Sequence, residues 1–528
     1  MKRISIFSAA AVCVLSIAAC TKNFESYNTN PCAPTEQQMK GDNFLQNAQL
    51  RPMMYPLGEG QQNESQMIDQ LCGYELGRSI ATVNPFGNAG NYYTYDPRQG
   101  WIGSPFTTIM PQIYNSYFKI VDLTGGEGLV YSWALLLRVM GTQHLSDIYG
   151  PVPYSKVGNG AYSVGYDDMK DLYPNLFRDL DAAVKGLKDA IESKDGVIEY
   201  LKSADYIYQG DLRKWVRLAN TFRLRMAIRI SNVAPELAKA EAEKTVADTC
   251  GLLEYGDAAW STYNDGMNPL YRAAYAWGGE FMISADITSF MNGYKDPRLP
   301  VYATKASGTE TPDDGNYVGV RNGVEKNADT KAGHNKLSNL NIAIDDPLLF
   351  MSAAESYFLR AEGTLLGWNM GGNDAKYFYE EGIRVSMKER GISEGVDAYL
   401  QGESCQADYK CASYETEKCD HVSTVGVKFS DEREERLEQI LTQKWLASFP
   451  NSWEAWADFR RTGYPKHFPI VDNKSIGTND PVTTEHGLRR IPFPPEEANT
   501  NKENYDEAVG MIGGNDLASV DLWWAKKN

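Results

Sequence analysis

Histidine is scarce: five in 528 residues, at positions 144, 334, 421, 467 and 486, with none placed as H-E-x-x-H. That removes the commonest helical zinc-hydrolase arrangement, and no G-x-S-x-G elbow is read either. Clustered basic residues are missing as well. With 52 Lys plus Arg against 69 Asp plus Glu the formal charge is -17, and loss of Lys2 and Arg3 with the leader makes it -19. Phosphate backbones need clustered cations, so nucleic acid is excluded as a partner. Beyond residue 20 no apolar run is long enough to span a bilayer, which takes about 20 residues. Mean hydropathy of -0.44 with 12% aromatic residues describes a globular body.

What is present begins at the N-terminus. Lys2 and Arg3 form a basic head, Ile4 to Ala19 is almost wholly apolar, and Ile17-Ala18-Ala19 leads to Cys20. This reads as a secretory signal over residues 1–19, with Cys20 as the acylated first residue of the mature chain and 20–40 as a polar tether. A single acyl chain holds a membrane marginally and two or more hold it stably. Cys13 leaves with the leader. Cys32, Cys72, Cys250, Cys405, Cys411 and Cys419 remain, enough for three disulfides in an exported protein. The close trio Cys405, Cys411 and Cys419 reads as a loop stapled by one disulfide; zinc with His421 as fourth ligand is the sharper alternative, at spacings wider than structural zinc sites favour.

Helical periodicity dominates the rest. Helices are expected over Asn43–Met54 and Met67–Leu76. One face carries Leu129, Trp133, Leu136 and Met140 and stops at Tyr149-Gly150-Pro151; another carries Leu172, Leu176, Leu180, Val184, Leu187 and Ile191. Trp215–Ile230 sets Trp215, Leu218, Phe222 and Met226 beside a polar face. Met351, Ala354, Phe358, Ala361 and Leu365 precede a turn at Gly371-Gly372 and a partner helix over Ala375–Met387. The block Ser430–Arg460 places Trp445, Trp453 and Trp456 at core spacing, and Trp523-Trp524 reads as tail packing. Residues 79–101 and 250–347 are rich in Gly, Asn, Pro and Tyr and read as long loops. The expectation is a mainly α fold: tetratricopeptide-like helix pairs with long irregular loop-rich insertions, in a single large domain over 41–528.

Dispersed motifs in order resemble one family. They are Cys20-Thr21-Lys22-Asn23-Phe24-Glu25 with Asn28-Thr29-Asn30-Pro31, Asp147-Ile148-Tyr149-Gly150-Pro151, Gly210-Asp211-Leu212 with Lys214-Trp215, Lys295-Asp296-Pro297-Arg298, Lys444-Trp445 through Arg460, and Arg489-Arg490-Ile491-Pro492-Phe493-Pro494. This pattern resembles the SusD/RagB outer-membrane nutrient-binding lipoproteins. The resemblance implies a lipid-anchored place on the outer face of the outer membrane, a SusC-like TonB-dependent transporter as partner, and capture of oligosaccharides, or in some members peptides, without chemistry. It assigns no ligand residues.

Sugars present hydroxyl edges and C–H faces, so their sites combine flat rings with planar polar groups. Two segments have that composition. The first offers Asn91, Tyr93, Tyr95, Arg98 and Trp101; the second offers Trp260, Tyr263 and Trp277, with Asp265, Asn268, Tyr271 and Tyr275 nearby. The alternative reading makes the same rings pins that fasten loops to the body. A peptide ligand would instead meet Asp96, Asp265 and Asp296, and a third reading is a structural lid on the transporter that binds little. No cofactor is expected; Asp313-Asp314-Gly315-Asn316 has oxygen ligands for calcium but lacks the order of a calcium loop and reads as a surface turn.

Overall fold

The computed structural model describes residues 44–54, 62–84, 86, 91–97, 99–158, 160–194, 199–262, 266–307, 313, 315–324, 333–411 and 418–526. Cys20, Cys32 and the tether lie outside these residues, as do Arg98 and Tyr263. Residues 49–528 cluster as one unit and 1–48 as another. The first expected helix is present as Phe44–Met53, and Met67–Leu76 falls on a wide helical turn over Gln66–Tyr74 and its continuation.

Among the described residues eleven longer helices carry the larger unit: α1 (Ser104–Thr124), α2 (Gly128–Tyr149), α3 (Met169–Lys194), α4 (Leu212–Arg229), α5 (Pro235–Ala247), α6 (Ala285–Tyr294), α7 (Ala353–Leu365), α8 (Ala375–Glu389), α9 (Arg433–Ser448), α10 (Trp453–Thr462) and α11 (Lys502–Met511). Consecutive helices pack on one another, α2 on α3, α4 on α5 and α7 on α8, as tetratricopeptide-like pairs do. Local chemistry sets their starts. Asp211 accepts from the N–H groups of Arg213 and Lys214 at the head of α4, and Ser284, Ser352 and Asp374 cap α6, α7 and α8, each cap contributing about 1 kcal/mol. Close approach then needs small residues. A Cβ on Gly186 of α3 would lie 1.9 Å from the Ser132 hydroxyl on α2, and one on Gly382 of α8 would lie 2.8 Å from the Phe358 ring on α7.

The polar face expected on α4 is not solvated. Arg223, Arg225 and Arg229 on its C-terminal half are buried and tie α4 to five neighbours: Arg223 to Glu241 of α5 and to Asp181 of α3 at 2.6 Å, Arg225 to both carboxylate oxygens of Glu355 on α7 at 2.7 Å, and Arg229 to Glu454 of α10 at 2.7 Å and Asp147 of α2 at 3.1 Å. Periodicity cannot separate such a stripe from an exposed one, because both are charged. Trp445, Trp456 and Trp524 are fully buried and Trp453 nearly so, as core spacing predicts.

The stretches read as loops hold more order than expected. Strands β1 (Ile80–Thr82), β2 (Ala259–Ser261), β3 (Phe281–Ile283) and β4 (Leu348–Met351) form two antiparallel ladders, β1 on β3 and β2 on β4. Each strand is only three or four residues long, too short to show alternation. Helix α6 is also internal to the 250–347 stretch; Ile287, Phe290 and Met291 bury one of its faces. Among the described residues no helix is long and apolar enough to cross a membrane.

Candidate functional site

In the first aromatic segment Asn91, Tyr93 and Tyr95 fasten the chain to the body and do not form the open platform expected from the sequence. Asn91, Tyr93 and Tyr95 are 2%, 5% and 4% exposed. Residues 92–94 form a tight helical turn; Asn91 Nδ2 donates to the Tyr93 hydroxyl at 3.1 Å and Arg78 donates to the Tyr95 hydroxyl at 3.2 Å. Burial pushes both phenols upward. Trp101 is half-buried, edge-on to Phe86 with centroids 5.5 Å apart. A ring enclosed in this way has no face for a sugar, and the alternation of Tyr with Asn along the chain does not reveal the enclosure.

The second segment does line an open cleft. Trp260 sits on β2 opposite Leu349 of β4. From Trp260 a continuous stack crosses three distant segments. The Arg390 guanidinium lies 5.0 Å from the Trp260 centroid and 4.9 Å from that of Tyr302, and Tyr302 stacks on Phe449 at 4.4 Å with 22° between planes. Arg390 also donates to the Phe449 carbonyl, and Tyr302 donates to the Leu446 carbonyl at 2.9 Å. Leu270 and Leu348 form the floor; Val301, Asn341, Ile342 and Pro347 form the rim. The space enclosed is about 420 Å³, inside the ~300–1,000 Å³ of ordinary small-ligand sites. Val301 and Tyr275 are each 37% exposed, unusual for such residues. The Tyr275 hydroxyl donates to the Leu340 carbonyl of the cleft wall, and Tyr271 lies 5.1 Å away at 33°.

The polar groups of this cleft are mostly committed. Asn268 caps the Pro269–Tyr271 turn and donates to the Asp346 carbonyl at 2.7 Å. Burial raises the Glu389 carboxyl above the usual range, against hydrogen bonds from the Ser352 hydroxyl and the Ala353 N–H. What a ligand meets is therefore the half-buried Trp260 and Arg390 and an apolar rim, with Tyr302 and Phe449 buried behind them at 2% and 5% exposure. Trp277 is half-buried beyond the Arg272–Ala276 turn and outside the cleft lining. Val301, Tyr302, Arg390 and Phe449 were not legible as site residues, since only folding gathers positions so far apart. Asp296 is withdrawn from any ligand: it is buried against Arg298 at 2.6 Å.

Beneath the floor lies an inner chamber of about 50 Å³ that shares Leu270 and Leu348 with the cleft. That is room for one or two waters at ~30 Å³ each and not for a sugar ring. Asp69, His144, Arg225, Glu355, Trp453 and Glu454 line it. Burial raises the Asp69 carboxyl to about 6 despite the Trp453 indole N–H donated to it at 3.0 Å. Burial also lowers His144 to about 4, its ring edge-on to Trp453.

The remaining sequence candidates resolve as structure. Cys72, Cys250, Cys405, Cys411 and Cys419 carry thiols, so the expected staple in the 405–419 loop is absent. An antiparallel bridge between Tyr409 and Cys419 holds that loop instead, and the Cys411 thiol lies 3.7 Å from Asp313. His421 Nδ1 is 2.7 Å from Asp408. Asp313 is 5% exposed, and its carbonyl accepts from the Asn316 N–H in a turn. Among the described residues no three His, Cys, Asp or Glu side chains gather as a metal site. The Gly391-Ile392-Ser393-Glu394-Gly395 run has G-x-S-x-G spacing but connects α8 to a short helix with no strand before it, so it presents no nucleophile.

Comparison with known proteins agrees with the fold. No curated protein matches the chain. A SusD-like protein from Bacteroides thetaiotaomicron is 37% identical, with a TM-score of 0.85 over 92% of this chain and 99% of that one. A chitin-binding SusD homologue from Flavobacterium johnsoniae is 34% identical, with a TM-score of 0.85 and the same coverage. A SusD homologue from Bacteroides uniformis is 35% identical, with a TM-score of 0.84 over 92% and 100%. The family described as SusD-like, the SusD and RagB outer membrane lipoproteins, matches residues 26–525, and the chain belongs to that family.

Proposed function

We propose that this protein is a lipid-anchored receptor on the outer face of the outer membrane, held through Cys20, that binds neutral oligosaccharides at the Trp260 cleft. It passes them unaltered to a SusC-like TonB-dependent transporter. The observation that carries the ligand class is the half-buried Trp260 and Arg390, backed by the buried Tyr302 and Phe449, beside an apolar rim with few uncommitted charges. Such a wall suits the C–H face of a sugar. The chitin-binding relative, which shares 34% of its sequence with this chain, supports the same class. The peptide reading loses Asp296 to the Arg298 pair. Calorimetry with the chain beginning after Cys20 tests the proposal: a neutral oligosaccharide binds wild type, is recovered intact, and loses about tenfold or more in affinity with Trp260→Ala. Unchanged affinity in that variant removes the cleft from the account, and strong salt dependence with basic peptides reassigns the ligand.

A further inference from the structure

Two polar side chains on the wall of the Trp260 cleft keep groups to spare. Arg390 uses Nη2 on the Phe449 carbonyl, and its Nε and Nη1 have no partner among the described residues. Asn341 is held to the wall twice: its backbone N–H donates to the Tyr302 carbonyl at 2.9 Å, and its Nδ2 donates to the Pro300 carbonyl at 2.9 Å. That leaves its Oδ1 without a partner on an exposed side chain. Both residues meet one element, the turn at Leu299–Tyr302, since the Arg390 guanidinium lies 4.9 Å from the Tyr302 ring centroid. The rim beside them is apolar, with Val301 and Pro347 exposed and Ile342 half-buried.

A charged donor, a fixed acceptor and an apolar rim call for a ligand group that complements all three. An acetamide does so: its carbonyl oxygen accepts from a guanidinium, its N–H donates to an amide oxygen, and its methyl group covers apolar surface. A hydroxyl supplies the hydrogen bonds and leaves Val301, Ile342 and Pro347 facing water. A carboxylate or sulfate on the ligand pairs with Arg390 but brings no N–H for Asn341. It also meets the wrong charge balance, because the lining carries one cation, Arg390, against two carboxyls, Glu389 and Asp346. Burial raises the Glu389 carboxyl and the Arg390 charge opposes that rise, so the guanidinium already answers a negative group of the protein. A neutral acceptor suits it better than a second anion.

We infer that Arg390 and Asn341 read an acetamido group, so that the cleft selects chains of N-acetylated amino sugars over the same chains bearing plain hydroxyls. This inference rests on the carbohydrate reading above. Calorimetry with chitotetraose and cellotetraose tests it, because the two share one linkage and differ in an acetamido group against the 2-hydroxyl. Wild type binds chitotetraose about tenfold more tightly, as one charge-assisted hydrogen bond provides. The ratio of the two affinities falls below about twofold in Arg390→Met and is lowered in Asn341→Ala, whatever affinity both sugars lose in common. A wild-type ratio near one, a preference that survives Arg390→Met, or tighter binding of a tetrameric uronic acid overturns the acetamide pair while the cleft stands as a sugar site. Competition by N-acetyl-tetraalanine amide as strong as that by chitotetraose assigns the pair to peptide amides and overturns both readings. Wild type that binds no neutral oligosaccharide overturns the carbohydrate reading and this inference with it.

Discussion

Arg298 and Arg390 are both guanidiniums beside aromatic rings, and their surroundings differ completely. Arg298 is fully buried, held by both oxygens of Asp296, the Ser386 and Tyr399 hydroxyls and the Gln443 carbonyl oxygen, which joins the 296–298 turn to α8, the helix at Val396–Leu400 and α9. Arg390 is half-buried, makes its hydrogen bond to one carbonyl, and lies 5.0 Å and 4.9 Å from the ring centroids of Trp260 and Tyr302. The first has its charge compensated from every side and fixes geometry. The second forms a surface wall with area to offer a passing molecule. A receptor that must release its cargo needs the second kind of site resting on the first.

The comparison breaks most visibly at Arg298. Arg298→Met strands Asp296 in the core, and removing one member of a buried pair costs about 3–5 kcal/mol; urea unfolding shows that loss, or the variant fails to accumulate, whereas Arg390→Met shifts the midpoint far less. The inner chamber gives the next effect, through pH. Asp69 has a folded pKa of about 6 against 3.8, so the folded state holds the extra proton and stability falls as pH rises from about 4 to 6. His144 has a folded value of about 4 against 6.5, so the unfolded state holds the extra proton and stability rises over nearly the same window. The two slopes, each about 1.4 kcal/mol per pH unit, oppose one another in wild type. Asp69→Asn exposes the rising slope and His144→Asn the falling one, measured as differences from wild type between pH 4 and 6; parallel curves for all three proteins remove the chamber pair from the account.

Trp260→Ala comes next. It costs about 1.4–2.8 kcal/mol of binding by calorimetry and little stability, the reverse of Arg298→Met. The smallest expected effect separates the two aromatic segments: Tyr95→Phe loses the hydrogen bond from Arg78, about 1 kcal/mol of stability, and leaves oligosaccharide affinity unchanged. A drop in affinity there would return the first segment to the site.

These contrasts show why the two aromatic segments, alike in composition, separate after folding. Tyr93 is held by Asn91, two residues back, and Tyr95 by Arg78, 17 residues back. Trp260 remains at a surface because β2 pairs with β4 and carries it to the mouth of a cleft whose other walls come from residues 301, 390 and 449. Ring content measures the ability to stack and says nothing of whether a face stays open. The same limit hid the α4 arginines, which have the spacing of a solvated stripe and the surroundings of a core.

The sequence by itself determined the main helices, the tryptophan core and the family, because each is written in local spacing or in motifs read in order. Only the tertiary structure decided that the cysteines of the 405–419 loop carry thiols, that Arg225 and Arg229 are interior, and that Trp260 rather than Tyr93 faces a cleft. Those outcomes depend on which distant groups arrive within a few ångströms, and burial and pairing belong to that arrival and not to any one stretch of chain.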